Sequence, residues 1–415
     1  MKRITASGSN GLSRRDFLKA TTATMAAASI GGPARLVRAS QPEIRIGMTL
    51  TYSGVYAMVG QRVENGIKLA FAQSKFKDRV KFFREDTQGK PNVAIEKAQK
   101  LFEKDHIHIL AGPIAGHESL AVSEFLKPQK RLQLLAYGAN IKLCGSHCSR
   151  YTFLCGHTPW NQSAPAVDWF LKDLGNKVYL IGADYSTGHE VVRYFREPFE
   201  KKGGQVVGSF FSPLGTTEYA PYLAKVKSAK IRPDGLFGFL GGNDLMNFTR
   251  QYHEFGLHQE GIPIIVGLGG YSSTFLKAFG EAGVGHYHVY HYSPFLDNPE
   301  NNAFKEAYTK MYNANVDEMD LNGYEVGTMM VKGLEAADNP ENTEAIINGI
   351  EKVNYKGPRG QISMDPNHVA RVPIYIIQVV KKDGQYMHRV AANTGYFGTP
   401  YGPDGPSGEC KMAAS

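Results

Sequence analysis

No stretch of the sequence contains 18 consecutive apolar residues, so no segment has the composition of a transmembrane helix. Cysteine is scarce, with 4 among 415 residues, and a chain of this length can bury a large core without disulfides. Apolar residues make up 42% and charged residues 21%, which excludes a disordered, collagen-like or coiled-coil protein. At roughly 150 residues per domain, the length indicates two or three compact units.

The excess of positive charge is confined to the beginning of the chain. The formal net charge is +8, and residues 1–39 contain seven Lys or Arg side chains and one Asp. The other 376 residues carry 40 basic and 38 acidic side chains, which nearly balance. The main body therefore lacks the basic surface that a nucleic-acid-binding protein requires, and we predict no nucleic-acid partner.

The sequence also lacks the motifs of common catalytic and nucleotide-binding sites. It contains no G-x-x-x-x-G-K-[ST], no H-E-x-x-H and no G-x-S-x-G. The nearest approach to a dinucleotide-binding motif, Gly267-x-Gly269-Gly270, has Ser272 in place of its last glycine. Since no nucleophile and base are paired either, we predict no enzyme activity and no cofactor.

Two groups of metal-ligand side chains are weak candidates for a metal site. In a strand, His286 and His288 share one face and His291 points the other way, so the three would not converge. The other group comprises Cys144, His147, Cys148 and Cys155. It lacks a second closely spaced pair of ligands, so we predict no metal at either place.

The first 39 residues resemble a twin-arginine export signal. The segment 13–19 reads Ser-Arg-Arg-Asp-Phe-Leu-Lys and precedes a weakly apolar run, Ala20 to Ile30. Val37 and Ala39 are small residues at the positions that a signal peptidase reads. The resemblance implies export by the twin-arginine machinery, cleavage after Ala39 and a periplasmic location.

The periplasm is oxidising, so the four cysteines are candidates for disulfides. Four cysteines allow three pairings, and the sequence does not choose among them. Cys144 and Cys148 lie close enough in one loop to bridge, whereas Cys410 could tie the tail to the body. Cys155 is the fourth candidate.

Apolar strand-like runs alternate with amphipathic helical patterns from Ile44 to Gly267, which predicts α/β architecture with parallel sheets. Eight such runs suit two sheets of four or five strands better than one. The pattern is interrupted at Tyr151–Trp160, Val289–Phe295 and Lys356–Asp365. Three crossings between two lobes predict a hinged clamshell that holds a ligand at the carboxyl ends of its strands.

These interruptions give the predicted domain boundaries. The export signal covers residues 1–39 and a Gly/Pro-rich tail covers residues 396–415. The N-terminal lobe comprises residues 40–157 and 292–357. The C-terminal lobe comprises residues 158–291 and 358–395.

Over residues 43–390 the chain resembles the periplasmic leucine/isoleucine/valine-binding type of solute receptor, the type I solute-binding proteins of ABC importers. The matching stretches are Ile46–Gly54, Phe83–Thr87, Gly112-Pro113, Gly138-Ala139-Asn140, Asp184–Gly188 and Gly241-Gly242-Asn243-Asp244. Each stretch is short, but their order and spacing together are specific. The resemblance implies two Rossmann-like lobes joined by three strands. It also implies a small-molecule ligand, an inner-membrane permease with its ATPase as partners, and a monomer.

The resemblance also implies where a ligand carboxylate would lie. In the family it is held by a hydroxyl and by backbone amides of two loops, here residues 115–117 and 138–140. The hydroxyl positions are replaced by Gly116 or His117 in the first loop and by Asn140 in the second. Tyr185 matches an aromatic residue that covers the ligand, and Asn243 matches a position that often carries Tyr.

One departure from the family bears on the ligand. Amino-acid receptors place a carboxylate after the strand at Ile262–Gly267 to bind the ligand ammonium, but this chain continues Leu268-Gly269-Gly270-Tyr271. A buried ammonium without an anion would cost several kcal/mol. Either Asp244 supplies the anion or the ligand has no ammonium.

The residues near the predicted cleft are rich in aromatic rings, which suit a flat or aromatic acid. These are Tyr52, Tyr56, Tyr137, Trp160, Tyr185 and Tyr271. We therefore predict a receptor for a small carboxylate, with an aromatic or other organic acid favoured. The alternatives are a leucine/isoleucine/valine receptor of the same fold and an exported oxidoreductase. A cytoplasmic ligand-sensing regulator of this fold is disfavoured by the export signal.

Overall fold

The computed structural model describes residues 42–54, 57–137, 140–399 and 409–412. The export signal, most of the tail and the predicted site residues Tyr56, Gly138 and Ala139 lie outside the described residues. No helix in the described part of the chain combines the length and apolar character needed to cross a bilayer.

The first sheet is parallel, with strand order β2-β1-β3-β4-β5. Its strands are β1 (Ile44–Leu50), β2 (Val80–Asp86), β3 (Ile109–Ala111), β4 (Leu132–Leu135) and β5 (Thr152–Leu154). The helices between them are α1 (Ala57–Ala72), α2 (Pro91–Glu103) and α3 (Gly116–Leu126). β3, β4 and β5 are buried throughout, as expected for continuous apolar strands covered on both faces.

The second sheet begins with parallel strands in the order β7-β6-β8-β9-β10. These are β6 (Lys177–Ala183), β7 (Gln205–Ser212), β8 (Gly235–Phe239), β9 (Ile264–Val266) and β10 (Tyr287–Tyr290). The helices along this part are α4 (Ala166–Asp173), α5 (Ser186–Lys201), α6 (Ala220–Lys227), α7 (Gly242–Glu254) and the short α8 (Leu276–Phe279).

Antiparallel strands complete the second sheet, and not all of them were predicted from the sequence. The strands β11 (Asn354–Gly357) and β12 (Gly360–Met364) form a ribbon that leads to β13 (Ala370–Lys382), which pairs with β10 and with β14 (Gln385–Phe397). The β13–β14 hairpin turns at Asp383-Gly384, both with positive φ. Asp-Gly between apolar strands is a hairpin signal that was present in the sequence.

Three helices follow the second crossing: α9 (Pro299–Tyr312), α10 (Glu318–Ala336) and α11 (Thr343–Glu351). α10 packs along α1 with the two backbones in contact. A Cβ on Gly66 would lie 2.1 Å from the Asp320 carbonyl oxygen, and one on Gly323 would lie 2.0 Å from that of Val63. Only glycine allows this approach, which supports the proposal that residues 292–357 belong to the N-terminal lobe.

The chain passes between the two sheets three times. It leaves the first sheet after Leu154, leaves the second after Tyr290 and returns to the second through β11 and β12, which lead into β13 at Ala370. Val369, just before β13, still forms a bridge with Leu154. The predicted fold class, two lobes with parallel sheets joined by three crossings, is confirmed.

A disulfide joins Cys148, in the loop before β5, to Cys410 in the tail, with their Cα atoms 5.6 Å apart. The possibility of a Cys144–Cys148 bridge is therefore wrong, and the tie between tail and body is confirmed. Cys144 and Cys155 are buried free thiols, and burial raises the pKa of Cys144 to about 12. Among the described residues, no group of His, Cys, Asp and Glu side chains is arranged to hold a metal ion.

Candidate ligand-binding site

The carboxyl ends of the parallel strands bring two sets of loops into position for ligand binding. In the first sheet, the loops after β3, β4 and β5 begin at Gly112, Ala136 and Cys155. In the second sheet, the loop after β9 begins at Gly267. Ligands of open α/β sheets bind beside such loops, so side chains that converge at this edge are candidates for a ligand site.

Five side chains converge where the first two crossings leave their sheets, and we call them the crossing cluster: Tyr137, His157, Tyr290, His291 and Asn322. The His157 ring centroid lies 5.4 Å from those of Tyr137, Tyr290 and His291. The Asn322 side chain connects Tyr290 and His291: its Nδ2 lies 3.2 Å from the Tyr290 hydroxyl, and its Oδ1 lies 2.8 Å from His291 Nε2.

The crossing cluster is uncharged near neutral pH. Burial, assisted by the nearby positive charge of Arg359, lowers the pKa of His157 to about 3 and holds that of His291 well below its usual value. Burial also raises the pKa of the Tyr137 and Tyr290 hydroxyls. The cluster therefore offers aromatic faces and neutral hydrogen-bonding groups.

The loop after β9 packs directly onto this cluster. Gly269 has φ +71°, and a Cβ there would lie 2.9 Å from the Tyr290 ring. A larger residue would be strained by the backbone and would collide with the ring. Packing against the Tyr290 ring therefore requires glycine at position 269 of this loop.

Two acids from the start of α10 meet the same loop. Asp317 Oδ2 accepts hydrogen bonds from the Thr274 amide at 3.2 Å and from the Thr274 hydroxyl, and Asp317 Oδ1 accepts from the Met319 amide at 3.0 Å. Glu318 Oε1 accepts from the Ser273 amide at 3.1 Å. The Ser272 hydroxyl lies 3.1 Å from Asp317 Oδ2 and 3.0 Å from Glu318 Oε2.

The two acids share their environment but differ in protonation. Burial and the neighbouring charge of Asp317 hold the pKa of Glu318 well above its usual value. Burial also acts to raise the pKa of Asp317, but hydrogen bonds from Thr274 and from the Met319 amide outweigh it and lower the value. The ionised form is therefore favoured at Asp317 and disfavoured at Glu318, and hydrogen-bond donors of the protein contact both carboxyl groups.

Three residues predicted for the site have partners inside the second lobe. Buried Asp244 accepts a hydrogen bond from the Gly215 amide, 3.0 Å from its Oδ2. Tyr271 is fully buried, with its hydroxyl 3.0 Å from that of Thr249. A Cβ on Gly270 would lie 2.7 Å from side-chain atoms of Leu245 and Val266.

Other predicted residues lie at separate points along the strand ends. Tyr185 is half-buried with its ring 6.4 Å from that of Phe239, and Asn243 is exposed in the first turn of α7. The Trp160 ring lies 6.1 Å from that of Phe397.

In the first lobe, Gly116 begins α3. His117 Nε2 lies 3.2 Å from the Gly89 carbonyl oxygen. Asn140 Oδ1 accepts from the Lys142 amide at 3.1 Å. The Tyr52 ring lies under the Arg84 guanidinium at 3.6 Å.

Of the predicted site residues that the structure describes, only Tyr137 belongs to the crossing cluster. The sequence pointed to His291 only as a metal ligand, and it did not single out His157, Tyr290 or Asn322 as candidates. The interruptions at 151–160 and 289–295 contained three of these residues and were a usable signal. Asn322 lies within a helix and had no local signal.

Comparison with known proteins agrees with this architecture. Residues 43–385 match the family model described as periplasmic binding protein. The chain belongs to this family. Residues 11–31 match the model of the twin-arginine translocation signal, which confirms the predicted export signal.

The relatives of this periplasmic binding protein include a Leu/Ile/Val-binding protein homolog of Brucella melitensis. It is 26% identical over 356 residues, which cover 83% of this chain and 90% of the relative. A solved ABC transporter substrate-binding protein from Sphaerobacter thermophilus is 31% identical, with a TM-score of 0.81 and coverage of 85% of this chain and 97% of that one. A solute-binding protein from R. palustris, solved with 4-hydroxybenzoate, is 26% identical, with a TM-score of 0.77 and coverage of 85% and 96%.

This periplasmic binding protein is therefore a substrate-binding component of an ABC transporter, of the branched-chain amino-acid type. The predicted periplasmic location is confirmed by the family and by the export signal. Its partners are a small-molecule ligand, an ABC permease and the twin-arginine machinery.

Proposed function

We propose that this protein captures a small aromatic carboxylate by lobe closure and delivers it to an ABC importer. One observation carries the choice of ligand class. Asp244, Asp317 and Glu318, the candidate partners for a ligand ammonium, already accept hydrogen bonds from the protein itself.

Asp317 and Glu318 are the acids beside the loop after β9, and amides and hydroxyls of residues 272–274 occupy them. Asp244, the acid that the sequence suggested instead, is buried and accepts from the Gly215 amide within its own lobe. An ammonium group placed here would leave water and gain no free anion, at a cost of several kcal/mol. A ligand without an ammonium group avoids this cost.

The aromatic character of the ligand is supported by the crossing cluster. Its rings are uncharged and its hydrogen-bonding groups are neutral, so it suits a flat ring with a neutral polar substituent. The R. palustris relative, solved with 4-hydroxybenzoate, shows that this fold accommodates a ligand of that class.

The carboxylate end of the ligand would lie at the start of α3 and at Asn140. The first amides of a helix lack intrahelical acceptors and attract anions. The Ala115 amide donates to Glu118 Oε2 at 3.4 Å, and in this proposal the next two amides, those of Gly116 and His117, bind the ligand carboxylate. In this proposal Tyr185 approaches from the second lobe.

A thermal-shift screen of the mature protein tests the proposal. We expect 4-hydroxybenzoate and benzoate to raise the melting temperature, while leucine, isoleucine and valine leave it unchanged. A ligand at a hundredfold excess over its dissociation constant stabilises by about 2.7 kcal/mol, which such a screen detects. Stabilisation by the branched amino acids alone would overturn the assignment and favour the amino-acid receptor that the name of the Brucella relative suggests.

The variant Asp244→Asn sharpens the screen. Under the proposal it retains aromatic-acid binding, because Asp244 serves the Gly215 loop and not the ligand. Loss of ligand binding in this variant, with the melting temperature of the free protein unchanged, would place Asp244 in the site.

A further inference from the structure

The helix α10 is attached to the first lobe and reaches the second. Its contact with α1 is backbone to backbone at Gly66 and Gly323, and Arg62 of α1 forms an ion pair with Asp320 at 2.5 Å. The start of α10 is therefore fixed relative to the first sheet. The loop 267–275 follows β9 and belongs to the second sheet.

Three consecutive hydroxyl residues of that loop, Ser272-Ser273-Thr274, contact the acid pair Asp317-Glu318. The Ser273 hydroxyl lies 2.9 Å from Glu318 Oε2 and 3.2 Å from Asp317 Oδ2, in addition to the Ser272 and Thr274 contacts described above. Asp317 and Glu318 are 1% and 3% exposed, so water is excluded from the contact.

We propose that Ser272-Ser273-Thr274 and Asp317-Glu318 form a latch that holds the two lobes in the closed arrangement. Contacts made in only one arrangement of the lobes shift the equilibrium toward that arrangement. When the lobes separate, both sides of the latch are solvated, so its removal acts on closure and little on the stability of each lobe. The proposal rests on hinged closure and not on the identity of the ligand.

The latch also lies next to the crossing cluster. Asn322, one turn further along α10, bonds to Tyr290 and His291 at the second crossing. Gly269, three residues before Ser272, packs on the Tyr290 ring. A ligand that fixes the crossing cluster would therefore also fix the two sides of the latch in register.

The test compares wild type with the triple variant Ser272→Ala/Ser273→Ala/Thr274→Val, which removes the hydroxyls and keeps the backbone amides. A matched control, Thr216→Val/Ser228→Ala, removes exposed hydroxyls that donate to nearby carbonyls of the same lobe. Small-angle scattering and ligand titration use 4-hydroxybenzoate as the probe, or leucine if wild type binds leucine instead. This choice keeps failure of the ligand assignment distinct from failure of the latch.

We expect the triple variant to bind the probe at least tenfold more weakly, mainly through faster dissociation, and to require more probe to reach the compact scattering profile. The melting temperature of the free protein should stay close to that of wild type and of the control. The isosteric variant Asp317→Asn should weaken binding in the same way if the triple variant fails to fold. Unchanged affinity for the probe would overturn the latch, whether or not the melting temperature of the free protein falls.

Discussion

Glu325 of α10 and Arg359, between β11 and β12, form an ion pair in which the two side chains are 1% and 0% exposed. Arg359 Nη2 also donates to the Cys155 carbonyl oxygen at 2.9 Å. The ion pair therefore joins a helix of the first lobe to the third crossing, and Arg359 also contacts the start of the first crossing at Cys155. Burial raises the pKa of Glu325 to about 7, although the charge of Arg359 acts to lower it.

Removal of one partner should be more harmful than removal of both. The variant Arg359→Met leaves the Glu325 carboxyl buried without its cation, and we expect a loss of about 3–5 kcal/mol in the free energy of unfolding. Arg359→Met/Glu325→Leu should recover most of that loss, because no charge is left buried. Urea denaturation of both variants measures this. A double variant no more stable than the single one would contradict the prediction.

The Cys148–Cys410 disulfide should contribute substantially to stability. It closes a loop with a sequence separation of 262, for which chain entropy alone gives about 5.6 kcal/mol as an upper value. We expect dithiothreitol to lower the melting temperature of wild type and of Cys144→Ser, whose replaced thiol is free. The variant Cys148→Ser should melt at the lower temperature with or without reductant. A reductant response that persists in this variant would point to a different pairing.

Buried histidines should make the protein less stable in acid. Burial lowers the pKa of His286 to about 3, and the Ile264 amide donates to its Nδ1 at 3.1 Å. The neutral form is favoured in the folded state, so this contribution is present above pH 6.5 and is lost as the pH falls toward 3. Relative to His286→Asn, whose Oδ1 can accept the same amide, wild type should lose about 2 kcal/mol between pH 7.5 and 5.0. Urea denaturation at the two pH values measures the gap, and a constant gap would contradict the assignment.

Export should depend on the two arginines of the signal. Replacement of Arg14 and Arg15 by Lys together should leave the uncleaved precursor in the cytoplasm, because the twin-arginine machinery reads this pair. Cell fractionation followed by immunoblotting distinguishes the precursor from the mature form, which lacks the signal that ends near Ala39. Normal export of the variant would exclude the twin-arginine route.

The family, the compartment and the fold class could be predicted from the sequence because their signals are local. The apolar runs that became β1 and β6 and the helical patterns between strands predict parallel sheets without reference to long-range contacts. The paired arginines at 14 and 15 are likewise a local signal. The absence of an acid from residues 267–271, after β9, is also a local signal, and the ligand class that it favours stays a prediction. The β13–β14 hairpin had a local signal too, in Asp383-Gly384, which was not used.

The tertiary structure decided which distant residues meet. The partner of Cys148, the engagement of Asp317 and Glu318 by Ser272-Ser273-Thr274, and the burial of Tyr271 depend on contacts across 262, 45 and 22 positions. Such contacts depend on how sheets and helices pack and not on any local pattern. The local sequence around a tyrosine near a strand end does not show whether its ring faces a ligand or the core of its own lobe. For this reason the sequence determined the kind of receptor, whereas the folded chain determined which of its acids and rings have partners within the protein itself.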